Sequence, residues 1–154
     1  MAIIFTDSRE KARAIEKILC EFQRQGIQHF STKLFVGDYM CPENPLLFID
    51  RKQNIGEIAQ NAVAGHKRFK AELERAKSIN AKMYVLIEQE RIDGKKIESL
   101  EDVILWKSRY GEVQGERIYR ILKSWQNKYD IEYCFCKKAD TGKKIIELLG
   151  VKNE

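Results

Sequence analysis

A single α/β domain built on a mixed sheet is what this 154-residue chain predicts. Three observations carry that expectation. Short β-branched apolar runs alternate with amphipathic stretches, one pair of runs is joined through a proline-bounded turn, and no internal repeat or Pro/Ser-rich linker divides the chain. The length suits one domain over residues 1–154, with a motif-bearing core at residues 1–90 and a helix-strand-helix extension at residues 91–154.

Residues 2–6 form a β-branched run that predicts a strand. The polar Asp7-Ser8-Arg9-Glu10 then opens a segment with apolar residues at Ala12, Ile15, Leu19 and Phe22, spaced for a helix that Gly26 closes. Two further runs, residues 33–40 and 46–52, flank Cys41-Pro42-Glu43-Asn44-Pro45 and predict a hairpin. From Ile55 to Ile79 the pattern is helical, broken near Ala64 and Gly65, and the second helix carries Phe69, Leu73 and Ala76 on its apolar stripe. Residues 83–88 predict a buried strand, and residues 92–115 predict loops around a short helix at 100–106. Ile118, Ile121, Leu122, Trp125 and Tyr129 have helical spacing; residues 131–136 then read as a strand and residues 141–149 as a closing helix.

An apolar content of 44% excludes a disordered tail, and no run approaches the ~20 apolar residues of a membrane span. The first five residues are too short, and too soon followed by charge, for a signal peptide, so a soluble intracellular protein is expected. Cys20, Cys41, Cys134 and Cys136 include no CxxC pair, and only His29 and His66 could join them, which argues against a zinc site and a disulfide framework. The net charge of +5 permits nucleic acid without requiring it.

The hairpin is the informative feature. Asp38 and Asp50 are equidistant from Asn44, so an ungapped antiparallel register sets them opposite each other. Val36, Asp38, Asp50 and Lys52 then share one face, while Tyr39, Ile49 and Arg51 take the other. Like charges facing each other after buried apolar stretches need neutralising, and a hard divalent cation such as Mg²⁺ does so with carboxylate oxygens and water. A bulge at Gly37 would shift that register. The alternative is an ordinary exposed hairpin, with Asp38 starting the turn and Asp50 paired to Lys52 or Arg51.

Asp7-Ser8-Arg9-Glu10, Val36-Gly37-Asp38-Tyr39, Asp50-Arg51-Lys52, Gly65-His66-Lys67-Arg68-Phe69 and Val85-Leu86-Ile87-Glu88 resemble, in order, the motifs of the XPF-type structure-selective endonucleases. The likeness covers about the first ninety residues and implies the restriction-endonuclease-like PD-(D/E)XK fold. This chain departs from the family in having Asp50 where Glu is usual, and Gly56 followed by Glu57 where an acid follows the lysine. The resemblance implies that Asp38 and Asp50 ligate Mg²⁺, with Mn²⁺ able to substitute. It further implies that Lys52 places or deprotonates the attacking water and that Arg51 supports the phosphate. Asp7 and Glu10 read by themselves as a helix capping box; the family motif instead sets one of them at the metal site, with Arg9 directed to DNA or an internal carboxylate.

His66, Lys67, Arg68 and Lys70 head a stretch of excess positive charge suited to backbone phosphates, unless Arg68–Glu72 and Lys70–Glu74 pairs occupy it. Trp106 to Tyr110 reads as a hydrophobic anchor. Asp140-Thr141-Gly142-Lys143-Lys144 lacks the upstream glycine of a phosphate loop, so no nucleotide cofactor is expected. The leading expectation is a Mg²⁺-dependent endonuclease leaving 5′-phosphate and 3′-hydroxyl ends, with branched DNA among its candidate substrates. Its rival is a non-catalytic DNA-binding or scaffold subunit. A homodimer, no membrane contact, and a cytoplasmic location, at the nucleoid for a prokaryotic or phage protein, complete the expectations.

Overall fold

The computed structural model describes residues 2–64 and 66–152, His66 without its side chain. Six strands form one sheet in the order β2-β1-β3-β4-β5-β8. They are β1 (Ile3–Asp7), β2 (Gln28–Thr32), β3 (Tyr39–Met40), β4 (Leu47–Lys52), β5 (Lys82–Ile87) and β8 (Ile131–Phe135). β3 runs antiparallel to both neighbours, and the β1–β2, β4–β5 and β5–β8 pairs are parallel. The expected mixed sheet is thus present, flanked by helices on both faces.

Alternation along the strands sorts the core into two layers. Phe48, Met83, Val85 and Ile87 pack with α2 (Ile55–Val63), α3 (His66–Ser78) and α4 (Gly115–Lys128). Ile4, Tyr39, Ile49 and Leu86 pack with α1 (Glu16–Arg24) and α5 (Thr141–Leu149). β4 is central and buried on both faces from Phe48 to Lys52, so its last three residues carry charge into the interior.

Several elements differ from expectation. β2 was not predicted: Gln28–Thr32 is a mostly exposed edge strand without apolar alternation, and its pairing with β1 creates it. α1 starts at Glu16, because residues 7–10 are held by side-chain contacts outside the helix. The first hairpin run contributes only the two residues of β3. Finally, β6 (Arg91–Ile92) and β7 (Lys95–Lys96) form a small hairpin through Asp93 and Gly94, both at positive φ, and residues 100–105 make a 3-10 turn where a helix was expected.

Candidate active site

The register of β3 on β4, Tyr39 opposite Ile49 and Met40 opposite Phe48, is the one centred on Asn44. It ends at a bulge. Asp38 N–H donates to Ile49 O at 2.7 Å, the residue that Tyr39 already faces, so two residues oppose one. Gly37 makes this possible: its φ is +69°, and a Cβ there would stand 2.9 Å from Ile49 O. The bulge turns the Asp38 carboxylate onto the main chain of β4, where Oδ2 accepts the Arg51 N–H at 2.7 Å.

Asp50 is only 4% exposed. Lys52 Nζ lies 3.1 Å from Asp50 Oδ2, but out of line for a hydrogen bond, so this buried oxygen has no hydrogen-bond partner. Lys52 is itself held 4.2 Å from the centroid of the Phe69 ring, which stacks on Trp125. Burial pushes the Asp50 pKa up to about 7, against the pull of Lys52. Burial, then the charges of Asp50 and Glu10, raises Asp38 well above the usual carboxylate range. Burial would lower Lys52, but Asp50 outweighs it and the lysine stays protonated.

A cleft of about 410 Å³ opens here. Asp38 and Lys52 line it with Arg9, Asn61, Arg68, Glu72 and Arg75, while Asp50 is not on its wall. Glu72 Oε1 accepts the Gly37 N–H at 2.7 Å and so ties the bulge to α3. Neither the Arg68–Glu72 nor the Lys70–Glu74 pair forms: Glu72 is spent on Gly37, and Glu74 meets Lys128 and Tyr129. Arg68 therefore faces the cleft, Lys67 and Lys70 are exposed elsewhere on α3, and the His66 side chain lies outside the described residues.

Asp7 and Glu10 adjoin the pair, the Asp7 N–H donating to the Asp38 carbonyl at 2.8 Å and the Glu10 charge acting on Asp38, but their side-chain oxygens are engaged within the protein. Asp7, 1% exposed, is not a helix cap: its oxygens accept the Leu34 N–H at 2.9 Å and Arg9 Nε at 2.7 Å. Burial opposes ionisation of Asp7, yet the bonds from Arg9 and Leu34 prevail and lower its pKa. Glu10 Oε2 accepts Tyr39 OH at 3.1 Å and Arg51 Nε at 3.0 Å, so Glu10 is linked to Asp38 through Arg51. Arg51 does not enter the cleft. Its guanidinium lies on the opposite face of β4, between Glu10 and Glu88, the latter at 2.7 Å. Burial would lower its pKa, but those carboxylates hold it above the normal arginine value. Thr141 Oγ1 completes the Glu88 carboxylate with a 2.6 Å bond from α5. Glu57 closes the start of α2, accepting the Gln53 N–H while Asn54 accepts its own.

Among the described residues no three His, Cys, Asp or Glu side chains form a metal-binding group, and Asp38 and Asp50 are the two carboxylates that could hold a cation here. That set fits Mg²⁺, a hard ion that needs one or two carboxylates and fills its remaining positions with water and phosphate oxygens. The orphaned, reluctantly ionised Asp50 oxygen fits it as well. Asn61 and Glu72 were not legible as site residues, and Arg75 only as one cation of the basic stretch between His66 and Lys82, because α2 and α3 face the hairpin only once folded.

The ERCC4-domain profile matches residues 6–149. The chain belongs to the ERCC4-domain family. ERCC4-domain proteins of the XPF type are nucleases, and membership supports a DNA nuclease role. Among solved structures the chain is similar to XPF from Aeropyrum pernix, with a TM-score of 0.68 and 18% identity over 96% of this chain and 63% of that one. It is also similar to the same protein in complex with DNA, with a TM-score of 0.70 and 16% identity over 97% of this chain and 64% of that one. The ERCC4 domain here thus spans under two thirds of those chains, and at such identity the likeness shows the fold. No curated protein sequence matches the chain.

Proposed function

We propose that the chain is a metal-dependent DNA endonuclease that hydrolyses phosphodiester bonds to leave 5′-phosphate and 3′-hydroxyl ends. The observation that carries this reading is the half-buried Asp38 beside the buried Asp50, both reluctant to ionise, with an Asp50 oxygen met only by the Lys52 ion pair at an arginine-lined cleft. Asp38 and Asp50 would hold Mg²⁺, or Mn²⁺ in its place, and the ion would supply positive charge for the phosphoryl oxygens.

The chain's own residues do the rest. The Arg51 N–H fixes one Asp38 oxygen, and the Gly37 bulge sets its direction. Lys52, protonated, would orient the attacking water through its ammonium N–H groups, and the proton that the water loses would pass to solvent. Arg9 and Arg68 bind backbone phosphates at the cleft wall, Arg9 being steadied by Asp7. Branched DNA is the proposed preferred substrate.

The deciding experiment is cleavage of a labelled flap, its matched duplex and its single strand, with Mg²⁺ or EDTA. Cutting that requires Mg²⁺ and leaves ends with the stated chemistry supports the reading. No cutting of any form with Mg²⁺ or Mn²⁺ sinks it and leaves a non-catalytic DNA-binding subunit. A homodimer is also proposed, through the segment of residues 91–154, in which Ile104, Leu105 and Tyr110 are exposed. Light scattering at micromolar concentration should give twice the chain mass, and a monomer mass refutes the dimer.

A further inference from the structure

The loop that delivers Asp38 to the cleft, residues 33–38, holds one side chain that the core does not use. Leu34 and Val36 are buried, whereas Phe35 between them is 53% exposed. The loop is pinned on both sides of that ring. Leu34 N–H donates to Asp7 at 2.9 Å, Arg75 Nε donates to the Phe35 carbonyl at 3.2 Å, and Gly37 N–H donates to Glu72 at 2.7 Å. A ring fixed outward by its neighbours has little freedom left to lose on binding. Phe30, about equally exposed, already packs on Phe5 with ring centroids 6.3 Å apart; Phe35 makes no such ring contact among the described residues.

The surroundings are cationic. Arg75, which holds the loop, lines the cleft with Arg9 and Arg68, and Lys33 is exposed two residues before the ring. Three residues of even fully extended chain put the Phe35 Cα within about 11 Å of the Asp38 Cα, so a base on this ring belongs to a nucleotide near the phosphate at Asp38.

We propose that Phe35 is a stacking platform for an unpaired base of the DNA strand at the cleft. The inference rests on the endonuclease reading above and names a residue that would read the form of DNA held there. In a duplex each base is covered on both faces, so only an unpaired or extruded base can lie on the ring. The arginines hold the phosphates of either form.

The test is fluorescence anisotropy in EDTA, with a labelled single strand and a blunt duplex containing the same sequence, on wild type, Phe35→Ala and Phe35→Trp. Loss of the ring should weaken single-strand binding roughly 5- to 100-fold and duplex binding by less than about twofold, and Trp should restore the difference. Equal weakening of both forms, or unchanged single-strand affinity, overturns the proposal. Unchanged affinity together with a halved solution mass would assign the ring to a contact between copies of the chain, which also overturns it. Phe35-dependent single-strand binding by a chain that cuts no DNA leaves this inference standing and sinks the endonuclease reading. Cutting without any Phe35 dependence does the reverse.

Discussion

The two faces at the end of β4 hold buried charge in opposite ways. On one, Arg51 sits between Glu10 and Glu88, with Tyr39 and Thr141 completing the carboxylates. On the other, Asp38 and Asp50 repel each other, an Asp50 oxygen has no hydrogen-bond partner, and Lys52 is only an ion-pair neighbour. The first face is satisfied within the protein and the second is not. Buried charge that the fold completes acts as a strut, whereas the incomplete pair is where the proposed cation would sit.

Asp50→Asn puts the largest strain on that comparison. Cleavage should fall by roughly three orders of magnitude or more, as for loss of a group acting in the transition state, while the metal-free protein becomes more stable at pH 8. The Asp50 pKa is near 7 in the folded chain against an ordinary 3.8, so between those values the folded state binds more protons than the unfolded one. Metal-free stability therefore declines as pH rises from about 4 to 7, and the burden is complete above that. Attraction to Lys52 is already contained in the net upward shift, so removing the charge relieves a burden on the order of 2 to 4 kcal/mol. A melting temperature that rises at pH 8 and changes little at pH 4 is the expected result. A fall at pH 8 would break the comparison.

Arg51→Met tests the other face and should cost about 3 to 5 kcal/mol, because it strands Glu10 and Glu88 as unpaired buried charges. Thermal unfolding should drop by roughly 10 °C. DNA affinity of the still-folded variant, measured well below that transition, should stay within about twofold, since the guanidinium is outside the cleft. Unchanged melting with lost DNA binding would return Arg51 to the phosphate-binding role that the sequence motif suggests. The smallest effect belongs to Arg68→Ala: DNA affinity weakens a few-fold and the slope of log affinity against log salt becomes shallower by about one. An unchanged slope would remove Arg68 from the DNA contact.

The hairpin itself was legible because its register follows from spacing about Asn44, and the structure keeps that spacing. The face of Asp50 and Lys52 followed from strand alternation, which is local geometry. Asp7 and Glu10 could be read locally either as a capping box or, by the motif, as acids of the metal site, since Asp-x-x-Glu before an apolar run has the same appearance whether its carboxylates cap a helix or reach Leu34 and Arg51, 27 and 41 residues along. Arg51 had no local signal for its two acid partners either, as Glu88 arrives with β5 and Thr141 with α5.

Sequence by itself determined the alternation of strands and helices, the place of the turn, and the meeting of Asp38, Asp50 and Lys52 at one end of a strand pair. Those features depend on repeats of two and 3.6 residues and on turn chemistry, all of short range. Only the tertiary structure decided that β2 is a strand, that Arg51 is a strut, and that Asn61, Glu72 and Arg75 wall the cleft. Each of these depends on which distant group comes within about 3 to 4 Å, and that is set by the packing of α2, α3 and α5 on the sheet.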